Sequence, residues 1–96
     1  MIIRIVKMNF RNGEEEKFLS LFAEVKTQIR NFPGCSHLEL WRDANNPQTF
    51  FTYSIWGDES ALNHYRFSDL FKTTWAKTKI LFAEKAAAWS LSQTLL

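Results

Sequence analysis

The chain has 96 residues and a formal net charge of +2, with Lys, Arg, Asp and Glu interspersed rather than blocked. That charge pattern leaves no electrostatic footprint for nucleic acid, and the lone Cys35 excludes an intrachain disulfide while fitting a reducing compartment. The opening MIIRIVKMNF is interrupted by Arg4 and Lys7, so it lacks a signal-type apolar segment, and no apolar run reaches membrane-spanning length. These features predict one domain over residues 1–96, soluble and cytoplasmic, with no nucleic-acid or membrane partner. Hydrophobic content is 46% and aromatic content 16%, including nine Phe and four Trp, which is more bulk than a two-layer domain of this size hides. The excess points to an interface or an aromatic-lined pocket.

Ile2 to Phe10 is β-branched and apolar and predicts a strand buried on both faces. Asn12-Gly13 breaks it, and Asn12 with Glu15 has the spacing of a capping box. Phe18, Phe22, Val25 and Ile29 then recur at helical spacing and form one apolar stripe, ended by Phe32-Pro33-Gly34. Ser36 to Asp43 predicts a second strand, and the loop Ala44 to Gln48 turns it into a third at Thr49 to Trp56. Asp58 is a suitable N-cap for a second helix and Ser68 for its restart. Lys85 to Leu91 predicts a last strand. The order is β-α-β-β-α-β, a ferredoxin-like α+β fold whose four-stranded antiparallel sheet carries the helices on one face.

The third strand is the unusual one. Phe51, Tyr53 and Ile55 point one way, while Phe50, Thr52, Ser54 and Trp56 point the other. A sheet with one open face should show water a polar surface there. Aromatic residues on both sides require a second cover: a ligand, a second copy of the chain, or both. On the second strand, Leu38 and Leu40 suit the helix layer, which turns His37, Glu39 and Trp41 to the open side. If Phe51, Tyr53 and Ile55 also meet the helices, then Phe50, Thr52, Ser54 and Trp56 share a chamber with His37 and Glu39. Such a chamber has two indoles for stacking, hydroxyls for orientation, and an imidazole and carboxylate as candidate catalytic acid and base. It suits a flat aromatic molecule bearing hydroxyl or keto groups. The competing reading of the same residues is a dimer interface whose polar groups satisfy one another. Neither a metal-ligand spacing nor a glycine-rich phosphate loop is present, so no cofactor site is predicted.

A strand ending in Trp56, an acidic helix start at Asp58 and Glu59, Ala61-Leu62, and Ser68 followed by Phe71 together resemble the antibiotic-biosynthesis monooxygenase family. Pro33-Gly34-Cys35, Leu38-Glu39-Leu40 and Arg42-Asp43 fit the same pattern, and the resemblance runs from about Ile2 to Leu91. It implies a dimeric α/β barrel that oxidises an aromatic quinol or anthrone-like molecule with dioxygen, using neither flavin nor metal. It also implies that Trp56 stacks on the substrate. Two positions depart from the pattern. Tyr65 and Leu70 stand where many relatives have histidine, and Tyr65 becomes a candidate substrate hydrogen-bonding group rather than a base. The departures favour, as the alternative, a non-catalytic ligand-binding or sensing dimer of the same fold. A haem-degrading branch resembles Ser68 to Lys72 locally, but Trp75 stands at its ligand position and an indole has no lone pair for iron.

Overall fold

Three β-branched isoleucines and a valine open the chain, and Ile2–Asn9 forms β1 of the computed structural model, which describes residues 1–96. The first helix, α1, is Glu15–Arg30. Its expected Asn12 capping box does not form. The helix begins after a turn in which the Gly13 N–H donates to Glu15 Oε2 at 2.9 Å, and Glu14 holds the N-cap position without a side-chain bond. Phe18 and Ile29 from the apolar stripe are buried, each such burial contributing about 1.5–3 kcal/mol.

β2 (Cys35–Arg42) and β3 (Thr49–Trp56) follow as a hairpin, its loop tied by Asp43 Oδ1, which accepts from the Asn45 and Asn46 N–H groups. The second helical segment divides as the two caps predict. Asp58 accepts from the Ala61 N–H to start α2 (Glu59–Arg66), and Ser68 accepts from the Phe71 N–H to start α3 (Asp69–Lys79). The last strand, β4 (Ala87–Leu91), begins two residues later than expected. The sheet is antiparallel in the order β2-β3-β1-β4, the ferredoxin-like arrangement, with all three helices on one side.

Register decides which residues meet the helices. Ser54 pairs with Arg4 and Leu38, and Thr52 with Val6 and Leu40, so these side chains share the helix-facing side. Tyr53 pairs with Ile5 and Glu39, and Ile5 with Trp89, on the opposite side. A bulge between Cys35 and His37 inserts one residue into β2. It lets Cys35 turn into the core beside Trp56 while His37, two positions on, faces outward.

The core is divided. One cluster joins Met8, Phe10, Phe18, Phe50 and Leu81, and a second joins Cys35, Trp56 and Leu62. Only 12 of 96 residues are buried, because a cavity separates the clusters and the outer sheet face is bare.

Candidate functional site

The cavity lies between the sheet and the helices and has a volume of about 360 Å³. Its floor is the helix-facing side of β1 and β3, with Arg4, Val6, Thr52, Ser54 and Trp56. α1 contributes Phe18 and Phe22, α2 contributes Leu62, Tyr65 and Arg66, and α3 contributes Phe71, Thr74 and Trp75. Ala86 to Ala88 form a low side wall, where small side chains leave room.

Aromatic packing fixes the walls. Trp56 is 1% exposed, its ring stacks on Tyr65 at 4.9 Å, and its Nε1–H donates to Ser54 Oγ at 2.9 Å. Phe32 and Phe71 meet Tyr65 edge-on at 5.4 and 5.3 Å, holding its ring from two sides. Phe71 in turn stacks on Trp75 at 5.7 Å. Rings braced in this way lose little entropy when a ligand is inserted beside them.

Burial, and then the nearby Cys35, push the Tyr65 phenol well above its ordinary pKa. It therefore stays protonated and serves as an O–H donor, not as a base. No buried side-chain polar atom lacks a partner; Tyr65 lines the cavity, and its hydroxyl makes no hydrogen bond within the protein. Arg4 donates from Nη1 to Ser90 Oγ at 2.9 Å. Burial first, and then the neighbouring Arg66 charge, lower the Arg4 pKa. No Asp, Glu, His, Lys or Cys lines the cavity.

The structure divides the residues singled out from the sequence. Thr52, Trp56 and Tyr65 line the cavity together. Phe50 does not: it is core, packed against Phe10 and Phe18 at 5.8 and 5.5 Å, with the Arg42 guanidinium 4.5 Å above its ring. His37, Glu39 and Trp41 lie on the other side of the sheet, away from Trp56. The chamber shared by His37, Glu39, Thr52 and Trp56 therefore does not exist. It required Phe51, Tyr53 and Ile55 to meet the helices, and the register turns them outward instead.

The outward group forms its own network. His37 Nε2 meets Glu39 Oε2, and Glu39 Oε1 accepts from Trp41 Nε1–H at 2.7 Å. Trp41 stacks on Tyr53 at 4.9 Å. Hydrogen bonds from His37 and Trp41 hold the Glu39 carboxyl below the usual carboxylate range, so it is ionised at neutral pH. Both side chains of the His37–Glu39 pair remain nearly half exposed, so this face encloses no reacting molecule by itself.

Sequence reasoning missed Arg4, Arg66, Thr74 and Trp75 as lining residues. Arg4 carried a signal: a cation at an inward position of an otherwise apolar strand, in register with Val6 and Met8. Trp75 carried none, because its helical spacing from Phe71 also fits plain packing.

No curated protein matches the chain. Among solved structures, an antibiotic biosynthesis monooxygenase superposes with a TM-score of 0.93 at 18% identity, over 99% of this chain and 100% of that one. A conserved protein from Methanosarcina mazei Go1 gives 0.91 at 19% identity, over 98% and 94%. A Mycobacterium tuberculosis protein gives 0.89 at 18% identity, over 99% and 96%. At such identities these structures establish the fold alone. The profile of the antibiotic biosynthesis monooxygenase family matches residues 1–77, from the first strand through nearly all of α3, and the chain belongs to that family.

Proposed function

We propose that the protein is a cofactor-independent monooxygenase acting on an aromatic quinol or anthrone-like small molecule inside the cavity between sheet and helices. The observation that carries this reading is a continuous aromatic wall, in which Trp56, Tyr65, Phe71 and Trp75 follow one another in ring contact along one largely apolar cavity. A flat ring lies along this wall, and the Tyr65, Thr52 and Thr74 side chains of the cavity lining are available to orient its oxygens. The substrate anion gives one electron to dioxygen. The resulting radical and superoxide join at a ring carbon, and the peroxide loses one oxygen as water to leave a carbonyl. The protein holds the ring, excludes water and donates the Tyr65 hydrogen bond to developing negative charge on oxygen. His37 and Glu39 do not touch this space, so the acid–base role expected for them has no counterpart in this reading, and the substrate must bind as its anion.

Oxygen-electrode measurements with a quinol and anthrone panel are expected to show one dioxygen consumed per substrate, with one ¹⁸O atom from labelled dioxygen in the product. Tyr65→Phe should lower kcat by about 100-fold, the lower end of what a lost oxyanion donor costs. Ligand binding without uptake above background across the panel would instead establish the non-catalytic binding protein. The absence of a base among the lining residues is what gives that second reading weight.

The outer sheet face is proposed to pair with a second copy of the chain. Trp41, Trp89 and Leu91 are 44%, 46% and 47% exposed there, beside Ile3, Ile5, Tyr53 and Ile55. Ile5 stands at the centre of this apolar sheet, flanked by Tyr53 and Trp89. Sedimentation should find a dimer for the native chain and a folded monomer for Ile5→Glu. A native monomer at micromolar concentration overturns the assignment.

A further inference from the structure

Arg4 and Arg66 reach the cavity from opposite walls, one from the sheet and one from the last turn of α2. Neither takes part in an ion pair: the only acid–base pairs in the molecule are Lys17–Glu14 and His37–Glu39. Arg4 is partly desolvated and feels the like charge of Arg66, which is exposed, and no carboxylate lines the cavity to offset either cation. Arg4 is also aimed. Its strand neighbours are Ser54 on β3 and Ser90 on β4, and the hydrogen bond to Ser90 leaves most of its donor fork unused.

An anion bridging the two walls removes the repulsion and takes the free donors. It also answers a difficulty within the cavity. With no side chain there able to act as a base, the molecule that binds must arrive already ionised or be ionised by the cations it meets.

We infer that Arg4 and Arg66 form a receiving site for an anionic oxygen group carried by the aromatic substrate, so that the protein selects an acidic aromatic of about two fused rings. The size follows from the volume: a dry cavity of about 150 Å³ holds one benzene ring, and this one offers about 360 Å³. The inference rests on the cavity being the ligand site, as proposed above. The anionic oxygen has two sources, a fixed carboxylate or an ionised ring hydroxyl.

Calorimetric titration at neutral pH with four probes separates them: 2-naphthoate, its neutral amide naphthalene-2-carboxamide, 4-nitro-1-naphthol (ionised under these conditions) and 1-naphthol. None needs to turn over, so failure of the oxygenase reading leaves this result readable, and dioxygen uptake without anion selectivity sinks only the present inference. 2-Naphthoate is expected to bind about 10- to 100-fold tighter than its amide, the range of a charge-assisted pair of hydrogen bonds. Arg4→Gln with Arg66→Gln should remove that margin and leave amide binding unchanged. Arg66→Gln alone, at an exposed position, should remove part of it without disturbing the fold. A margin shown only by 4-nitro-1-naphthol over 1-naphthol, and lost in the same variants, assigns the ring oxygen as the source. Equal affinity of charged and neutral probes overturns the inference. So does an equal loss for both in the double variant, the result expected if the arginines only pack against the cavity and complement the α2 dipole.

Discussion

Trp56→Ala is expected to destabilise the protein by about 3–5 kcal/mol, the usual cost of emptying a buried indole site. The ring is 1% exposed, stacked on Tyr65 and edge-on to Phe32 at 6.4 Å, so its loss frees both neighbours at once. Against a total stability of about 5–15 kcal/mol for a domain, the melting temperature should fall by on the order of 20 °C. Scanning calorimetry checks this directly. Trp56→Phe keeps an aromatic ring at the site but removes the indole N–H that Ser54 accepts, and should cost markedly less. If that variant stays folded yet binds aromatic ligands as tightly as the native protein, Trp56 is a core residue only. A loss of affinity in the folded Trp56→Phe protein supports its place as the stacking wall.

The second large effect is expected at Gly34, in the turn between α1 and β2. Its φ is +89°, and a Cβ there would stand 2.4 Å from the Ala61 Cβ at the start of α2. Gly34→Ala therefore meets two penalties. Left-handed backbone costs an ordinary L-residue about 1–2 kcal/mol, and the overlap with α2 adds about 1–3 kcal/mol. Gly13 provides the internal comparison, with φ +88° but nothing within 4 Å of its added Cβ. Gly13→Ala should show the backbone penalty alone. Gly34→Ala combined with Ala61→Gly should recover the contact penalty but not the backbone one. Chemical denaturation that finds Gly13→Ala and Gly34→Ala equally destabilised would dismiss the close approach of turn and helix. That approach matters because the Gly34 carbonyl also accepts from the Gly57 N–H at 2.8 Å, joining the turn to the end of β3 beside Trp56.

Much of this fold was legible in the sequence because its punctuation is local. Asp58 and Ser68 cap helices by bonds to N–H groups three residues on, and Asn45-Asn46-Pro47 turns a hairpin using its own side chains and that of Asp43. The site was less legible because it depends on which side of β3 faces inward. Phe50 and Trp56 alternate with Phe51 and Tyr53, so hydrophobicity does not choose between the faces. The polar residues misled: Thr52 and Ser54 suggest an outward side, yet Ser54 is buried as the acceptor for Trp56. The bulge at Ser36 leaves no compositional mark, and the placement of Cys35 and His37 on opposite sides follows from it alone. For β2, the outward assignment of His37, Glu39 and Trp41 from Leu38 and Leu40 agrees with the register. What failed was joining that face to the wrong side of its neighbour.

The divided core has a physiological corollary. A molecule seated between the two apolar clusters would complete the interior, so the occupied chain outlasts the empty one. Mass action sets the scale: a ligand at a hundred times its dissociation constant adds about 2.7 kcal/mol to the folded state. In a cell where unfolded chains are continually destroyed, that margin lengthens the protein's lifetime. Its abundance would then rise with the supply of the compound it accepts, without any change in transcription.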